Sequence, residues 1–137
     1  MTRAPRTGGC NCGAVRAVFR RPFGAAGYCH CSRCRRRTGM GSSASAAIAR
    51  AHVDFEGADA MRAWSPPDGS QKVFCGVCGS QIMSQRTADS DTVFVRFGFV
   101  DGDPGVRPTF RQFTADAPPW DPVPDDGLPR FAGPRPA

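Results

Sequence analysis

The stretch Lys72-Val-Phe-Cys75-Gly-Val-Cys78-Gly79-Ser-Gln-Ile-Met83 reads as two short strands, over residues 72–74 and 80–83, joined by a tight turn that its glycines permit. A C-x-x-C pair on such a turn is a metal knuckle. Zinc–thiolate bonds of ~2.3 Å in a tetrahedron bring sulfurs within ~4 Å of one another, and two cysteines on one turn can meet that spacing. The other five cysteines fall into Cys10-Asn-Cys12 and Cys29-His-Cys31-Ser-Arg-Cys34, so none is isolated. In a C-x-C pair the side chains share one face of an extended chain. Spacing therefore favours metal over disulfides, and an odd total of seven points the same way.

The 137 residues are 40% hydrophobic and 9% aromatic, enough for one modest core and one domain over residues 1–137. One Leu, one Lys and one Glu stand against 16 Gly and 13 Pro, so strong helix formers are nearly absent and mostly β structure is expected. No apolar run is long enough for a membrane span, and the first residues lack the apolar region of a secretory signal. A cytoplasmic, reducing location is the expectation.

Charge is uneven. Residues 1–50 hold ten Arg and no acid, whereas the rest of the chain is net negative. Such a basic half suits nucleic acid or a small anionic substrate drawn into a cleft.

Along the chain, residues 14–20 alternate as a half-buried strand with Val15, Ala17 and Phe19 inward. Residues 21–27 read as a turn, 43–50 show no convincing period, and Val53 with Phe55 suggests a short strand before Gly57. Residues 92–100 form the clearest strand, with Val93, Val95, Phe97 and Phe99 on one core-facing side. Nine of the 13 prolines lie beyond Asp101, so the tail is expected to run extended over the surface, pinned by Trp120 and Phe131. Gly39-Met-Gly41-Ser-Ser43 lacks the Lys and the strand-to-helix setting of a phosphate loop.

Seven ligands divide into four plus three. Four thiolates close a structural site, whereas three leave a position open for water or a substrate sulfur. The simplest allocation puts Cys10 and Cys12 with Cys75 and Cys78, and leaves Cys29, Cys31 and Cys34 as an open triad. The competing allocation closes both sites, with His30 or His52 as a further ligand. Strand alternation turns His30 away from Cys29 and Cys31, which makes it a neighbour rather than a ligand. Arg33, Arg35, Arg36 and Arg37 surround the triad's last cysteine, and guanidinium forks match carboxylates in bidentate geometry.

Gly-Gly-Cys10-Asn-Cys12-Gly-Ala-Val-Arg16, Cys29-His-Cys31-Ser-Arg-Cys34-Arg-Arg, Thr38-Gly39 and Phe74-Cys75-x-x-Cys78-Gly79-Ser80 together resemble the glutathione-dependent formaldehyde-activating enzyme family (the centromere protein V/GFA domain). The tail's Ala-Pro-Pro-Trp120 and Asp-Asp-Gly-Leu-Pro-Arg-Phe131 resemble that family's terminal signature, so the likeness spans about residues 8–131. It implies a mainly β, Mss4-like fold of small antiparallel sheets held by zinc knuckles, with an extended Pro-rich C-terminal segment. It also implies two zinc ions per chain: a structural one at Cys10, Cys12, Cys75 and Cys78, and a catalytic one at Cys29, Cys31 and Cys34. Many members carry a His where this chain has Arg111.

The activity implied is that of a carbon–sulfur lyase, forming or breaking a thiol–aldehyde adduct such as S-hydroxymethylglutathione from glutathione and formaldehyde. Three thiolates leave a zinc site with excess negative charge, so Arg33 and Arg35 are expected to compensate and to orient the carboxylates of a small anionic thiol. The alternative is a zinc-stabilised, non-catalytic binding module whose basic face holds nucleic acid or an acidic partner. No aromatic residue interleaves the Arg run, so nucleic-acid bases have no stacking platform there.

Overall fold

The computed structural model describes residues 5–136. Three strands, β1 (Arg6–Gly9), β2 (Arg16–Phe19) and β5 (Val53–Glu56), form a small antiparallel sheet in the order β1-β2-β5. A seven-stranded sheet holds β3 (Ala26–Cys29), β4 (Ser43–Ala49), β6 (Met61–Trp64), β7 (Gln71–Cys75), β8 (Gln81–Gln85), β9 (Thr92–Arg96) and β10 (Arg111–Gln112). Its order is β10-β3-β4-β9-β8-β7-β6, antiparallel except for the β10–β3 edge. The protein is mainly β with antiparallel sheets, as its composition led us to expect.

Register explains the large sheet. Ala26, Ala46, Val95, Met83 and Val73 are successive cross-strand partners, and all are buried. With Ile48, Val93 and Ile82 they meet Val15, Ala17 and Phe19 in one core. Phe19 packs on Phe23 and edge-on to Phe99, with ring centroids 4.9 and 6.5 Å apart. Because strand side chains alternate, a second row lies on the opposite face: Gly27, Ser45, Arg96, then Phe94, Ser84 and Lys72. That polar row is the floor of a cleft.

Several expectations need correction. Residues 43–49, which have no apolar period, form a central strand. Their Ser and Ala side chains are small because the cleft lies on one face and the core on the other. Residues 32–38 form a short helix, α1 (Ser32–Thr38), started by Cys31 as N-cap and stopped by Gly39 at φ 73°. The strand expected over 92–100 ends at Arg96 and continues as a 3-10 turn, in which Phe97 is half-buried against the core and Phe99 is buried with Val93 and Val95. Of the two expected anchors, Trp120 is 60% exposed, whereas Phe131 is half-buried. The tail is also held through its backbone, with Arg111 N–H donating to Pro129 and Phe131 N–H donating to Arg111.

Candidate active site

The β1–β2 turn carries Cys10 and Cys12, and the β7–β8 hairpin carries Cys75 and Cys78. Gly13 and Gly79, both at φ 80°, let each turn close on itself. Asn11 N–H donates to Ser80 Oγ at 3.0 Å, tying one knuckle to the other. The four sulfurs lie within 4.8 Å of one another, with Cys10 and Cys12 at 3.6 Å and Cys12 and Cys75 at 3.8 Å. These separations match the ~3.8 Å edge of a zinc–thiolate tetrahedron. Backbone N–H groups of Val15 and Val77 donate to Cys10 and Cys75 Sγ, and at Cys10, against the raising effect of burial, the bond from Val15 helps to lower the thiol pKa. The Ser80 hydroxyl does the same for Cys78 and lowers its pKa to about 5.

The second cluster is local. Cys29 ends β3, Cys31 caps α1, and Cys34 sits in that helix's first turn, with the three sulfurs also within 4.8 Å of one another. Cys34 N–H donates to Cys31 Sγ at 3.3 Å. Hydrogen bonding from the thiols of Cys29 and Cys31, joined by Ser43 and the charge of Arg96, holds Cys34 well below the ordinary thiol range. Both clusters therefore have the donor set and spacing to hold a soft divalent ion such as zinc. Among the described residues neither histidine joins them.

His30 is buried and turned away from the triad, as alternation requires. Burial, then the nearby charge of Arg111, lowers its pKa and keeps the ring neutral. Arg111 Nη1 donates to its Nε2 at 3.2 Å. Arg111, 6% exposed, also donates to Asp126 at 2.7 and 3.2 Å and lies 4.2 Å over the Tyr28 ring. This arginine thus locks the tail onto the strand that ends in Cys29.

Beside the triad opens a cleft of about 550 Å³, lined by Cys29, Cys31 and Cys34. Its floor is the polar row of the sheet, including Ser45, Ser84, Lys72 and Arg96, while Phe94, Phe110 and Phe113 supply apolar wall. Gly27 is needed there, because a Cβ would stand 2.2 Å from Phe110. Arg33 reaches the cleft and pairs with Asp68 at 2.8 Å. Arg35 is not among the lining residues: two steps along a helix turn a side chain by about 200°, so Arg33 and Arg35 face opposite ways. The cleft cations that the sequence reading missed are Lys72, Arg96 and Arg135. Arg96 carried a signal, since an Arg two residues after Phe94 sits on the strand face opposite the Val93 and Val95 row.

No helix among the described residues is long and apolar enough to cross a membrane. No curated protein matches the chain in sequence. A crystal structure of a Rhodobacter sphaeroides protein, solved as a structural-genomics target, is similar in fold: TM-score 0.58 and 23% identity over 91% of this chain and 98% of that one. Residues 5–116 match the family described as glutathione-dependent formaldehyde-activating enzyme, a span that takes in both cysteine clusters and stops short of the tail around Trp120. The chain belongs to the glutathione-dependent formaldehyde-activating enzyme family.

Proposed function

We propose that this protein is a zinc-dependent carbon–sulfur lyase-type enzyme, which forms or breaks an adduct between a small anionic thiol and an aldehyde, with glutathione and formaldehyde as the pair its family suggests. The observation that carries this reading is a three-cysteine cluster opening directly into a cation-lined cleft. The four-cysteine cluster is assigned to structure, because its sulfurs complete a tetrahedron and join two distant turns. Held by Cys29, Cys31 and Cys34, a zinc ion would supply a fourth position that keeps the substrate sulfur as a thiolate.

The chain's own residues do the rest. Lys72 and Arg96, both on the floor, raise the positive potential that draws in a thiolate and its carboxylates. Asp116 on the rim offers a carboxylate to the substrate's ammonium group. In the forward direction the thiol loses its proton, the sulfur bonds to the aldehyde carbon, and the carbonyl π pair moves onto oxygen, which takes up a proton. Lys72 faces the developing oxyanion as a hydrogen-bond donor. Phe94, Phe110 and Phe113 limit water around the reacting atoms.

The reaction also proceeds in water, so exchange is the proper observable. The expected result is faster magnetisation exchange between free formaldehyde and S-hydroxymethylglutathione with the zinc-loaded protein. Cys31→Ser should abolish that acceleration. Exchange at the uncatalysed rate with the intact protein, together with duplex nucleic-acid binding of steep salt dependence, would replace the enzyme with a binding module.

A further inference from the structure

A second concavity, of about 520 Å³, lies between the two cysteine clusters. One wall is the end of α1 with Arg37 and Thr38, another is Asn11 with Ser80, and Arg96 separates it from the cleft described above. No acidic residue among the described residues lines it. Arg37 and Arg96 both face it, and neither makes an ion pair among the described residues.

Arg96 is only 8% exposed, and its one side-chain partner is the Ser45 hydroxyl. Its Nε, like Nη2 of Arg37, has no partner in the protein and is closed even to water, so an ion in the concavity would meet the other atoms by which each arginine lines it. Unpaired guanidinium donors in such a setting are costly, and two of them facing each other add repulsion. Burial and then the charge of Arg96 push the Arg37 pKa down to about 10, as that juxtaposition requires. Nearby Cys34 and Cys31 offset part of the charge. Three thiolates around a divalent ion leave one negative charge, however, and Lys72, Arg37 and Arg96 all face it.

We propose that this concavity is a second ligand site, in which Arg37 and Arg96 together bind a small oxyanion. Ser42 lines the site, and Gln81 can present its amide NH₂ after a half-turn of its terminal torsion. The shared chemistry is a phosphate-, sulfate- or carboxylate-type group, either a free ion or the carboxylate end of a longer ligand reaching past Arg96. The site requires no turnover, so its fate is separable from that of the lyase reading.

The test is calorimetric titration of the zinc-loaded protein with inorganic phosphate at constant ionic strength. Saturable binding is expected, weakened at least tenfold by Arg37→Gln. It should change less than threefold in Arg135→Gln, which lines only the first cleft, and in Arg21→Gln, which removes the same charge from an exposed position. Ser42→Asp should supply the missing anion internally, raising the melting temperature and abolishing the response to phosphate, so a poorly folding Arg37 variant would not leave the matter open. Competition between phosphate and S-methylglutathione would identify the natural group as a ligand's carboxylate, and independent binding would identify a free ion. Unsaturable phosphate binding, or binding lost with Arg135→Gln and kept in Arg37→Gln, overturns the proposal.

Discussion

Cys75→Ser should remove a large share of this protein's stability, whereas Cys31→Ser should remove little. Cys12 and Cys75 are 63 positions apart, and the sulfur cluster they share joins the small sheet's β1–β2 turn to the large sheet's β7–β8 hairpin. Treated as a cross-link, closing a loop of that length is worth about 4 kcal/mol of denatured-state entropy. That is a large share of the roughly 5–15 kcal/mol that holds a typical domain together. Cys75 is also fully buried, so a poorly coordinating hydroxyl there is badly placed. The triad is different, because Cys31 and Cys34 are three positions apart and their cross-link closes almost no loop. Serine at position 31 keeps an N-cap oxygen for α1, so the expected cost is within about 1 kcal/mol. Urea unfolding followed by circular dichroism, with zinc content measured beside it, checks both values. Equal loss of stability in the two variants would refute the division into a stapling site and an open one.

Gly27→Ala should push Phe110 off the cleft wall and weaken glutathione binding several-fold while leaving the metal content of the zinc-loaded protein unchanged, as read by titration with glutathione and by metal analysis. Asp126 carries a pH prediction. Its hydrogen bonds with Arg111 hold its carboxyl below the ordinary 3.8, so its contribution is complete above that value and is lost as pH falls from it through the folded-state pKa. Asp126→Asn should flatten that acid-side slope relative to the parent protein, and proteolysis at the tail should quicken with it. An unchanged slope would mean that the ion pair at 2.7 Å stabilises nothing.

The knuckles were legible because metal chemistry demands short, local cysteine spacings, and the two clusters assemble as the four-plus-three division requires. The Val15, Ala17 and Phe19 strand was legible because one of its faces is wet and the other dry. Strand β4 was not, since an apolar period disappears when one face lines a cleft with Ser45 and the other packs Ala46 against Val95. The helix α1 buries only Cys34, so it too has no apolar stripe to betray it. The Arg run drew attention to Arg33 and Arg35, yet helical geometry sends only Arg33 into the cleft. Lys72, three residues before Cys75, and Arg96 both lie far in sequence from Cys29, Cys31 and Cys34, and meet that triad only through cross-strand register. Arg111 stands apart from every cysteine group, and its part in fastening the tail depends on Asp126 coming back to it.

Chemistry of the proposed kind requires one cluster open to a thiol while the other is closed. Zinc-edge X-ray absorption of the fully loaded protein measures this directly through the mean number of sulfurs per zinc. Without thiol the average should be about 3.5, with lighter atoms making up the remainder, and saturating glutathione should raise it to about 4. An average of about 4 before any thiol is added, or one that glutathione does not change, would contradict the assignment of Cys29, Cys31 and Cys34 as the site of chemistry.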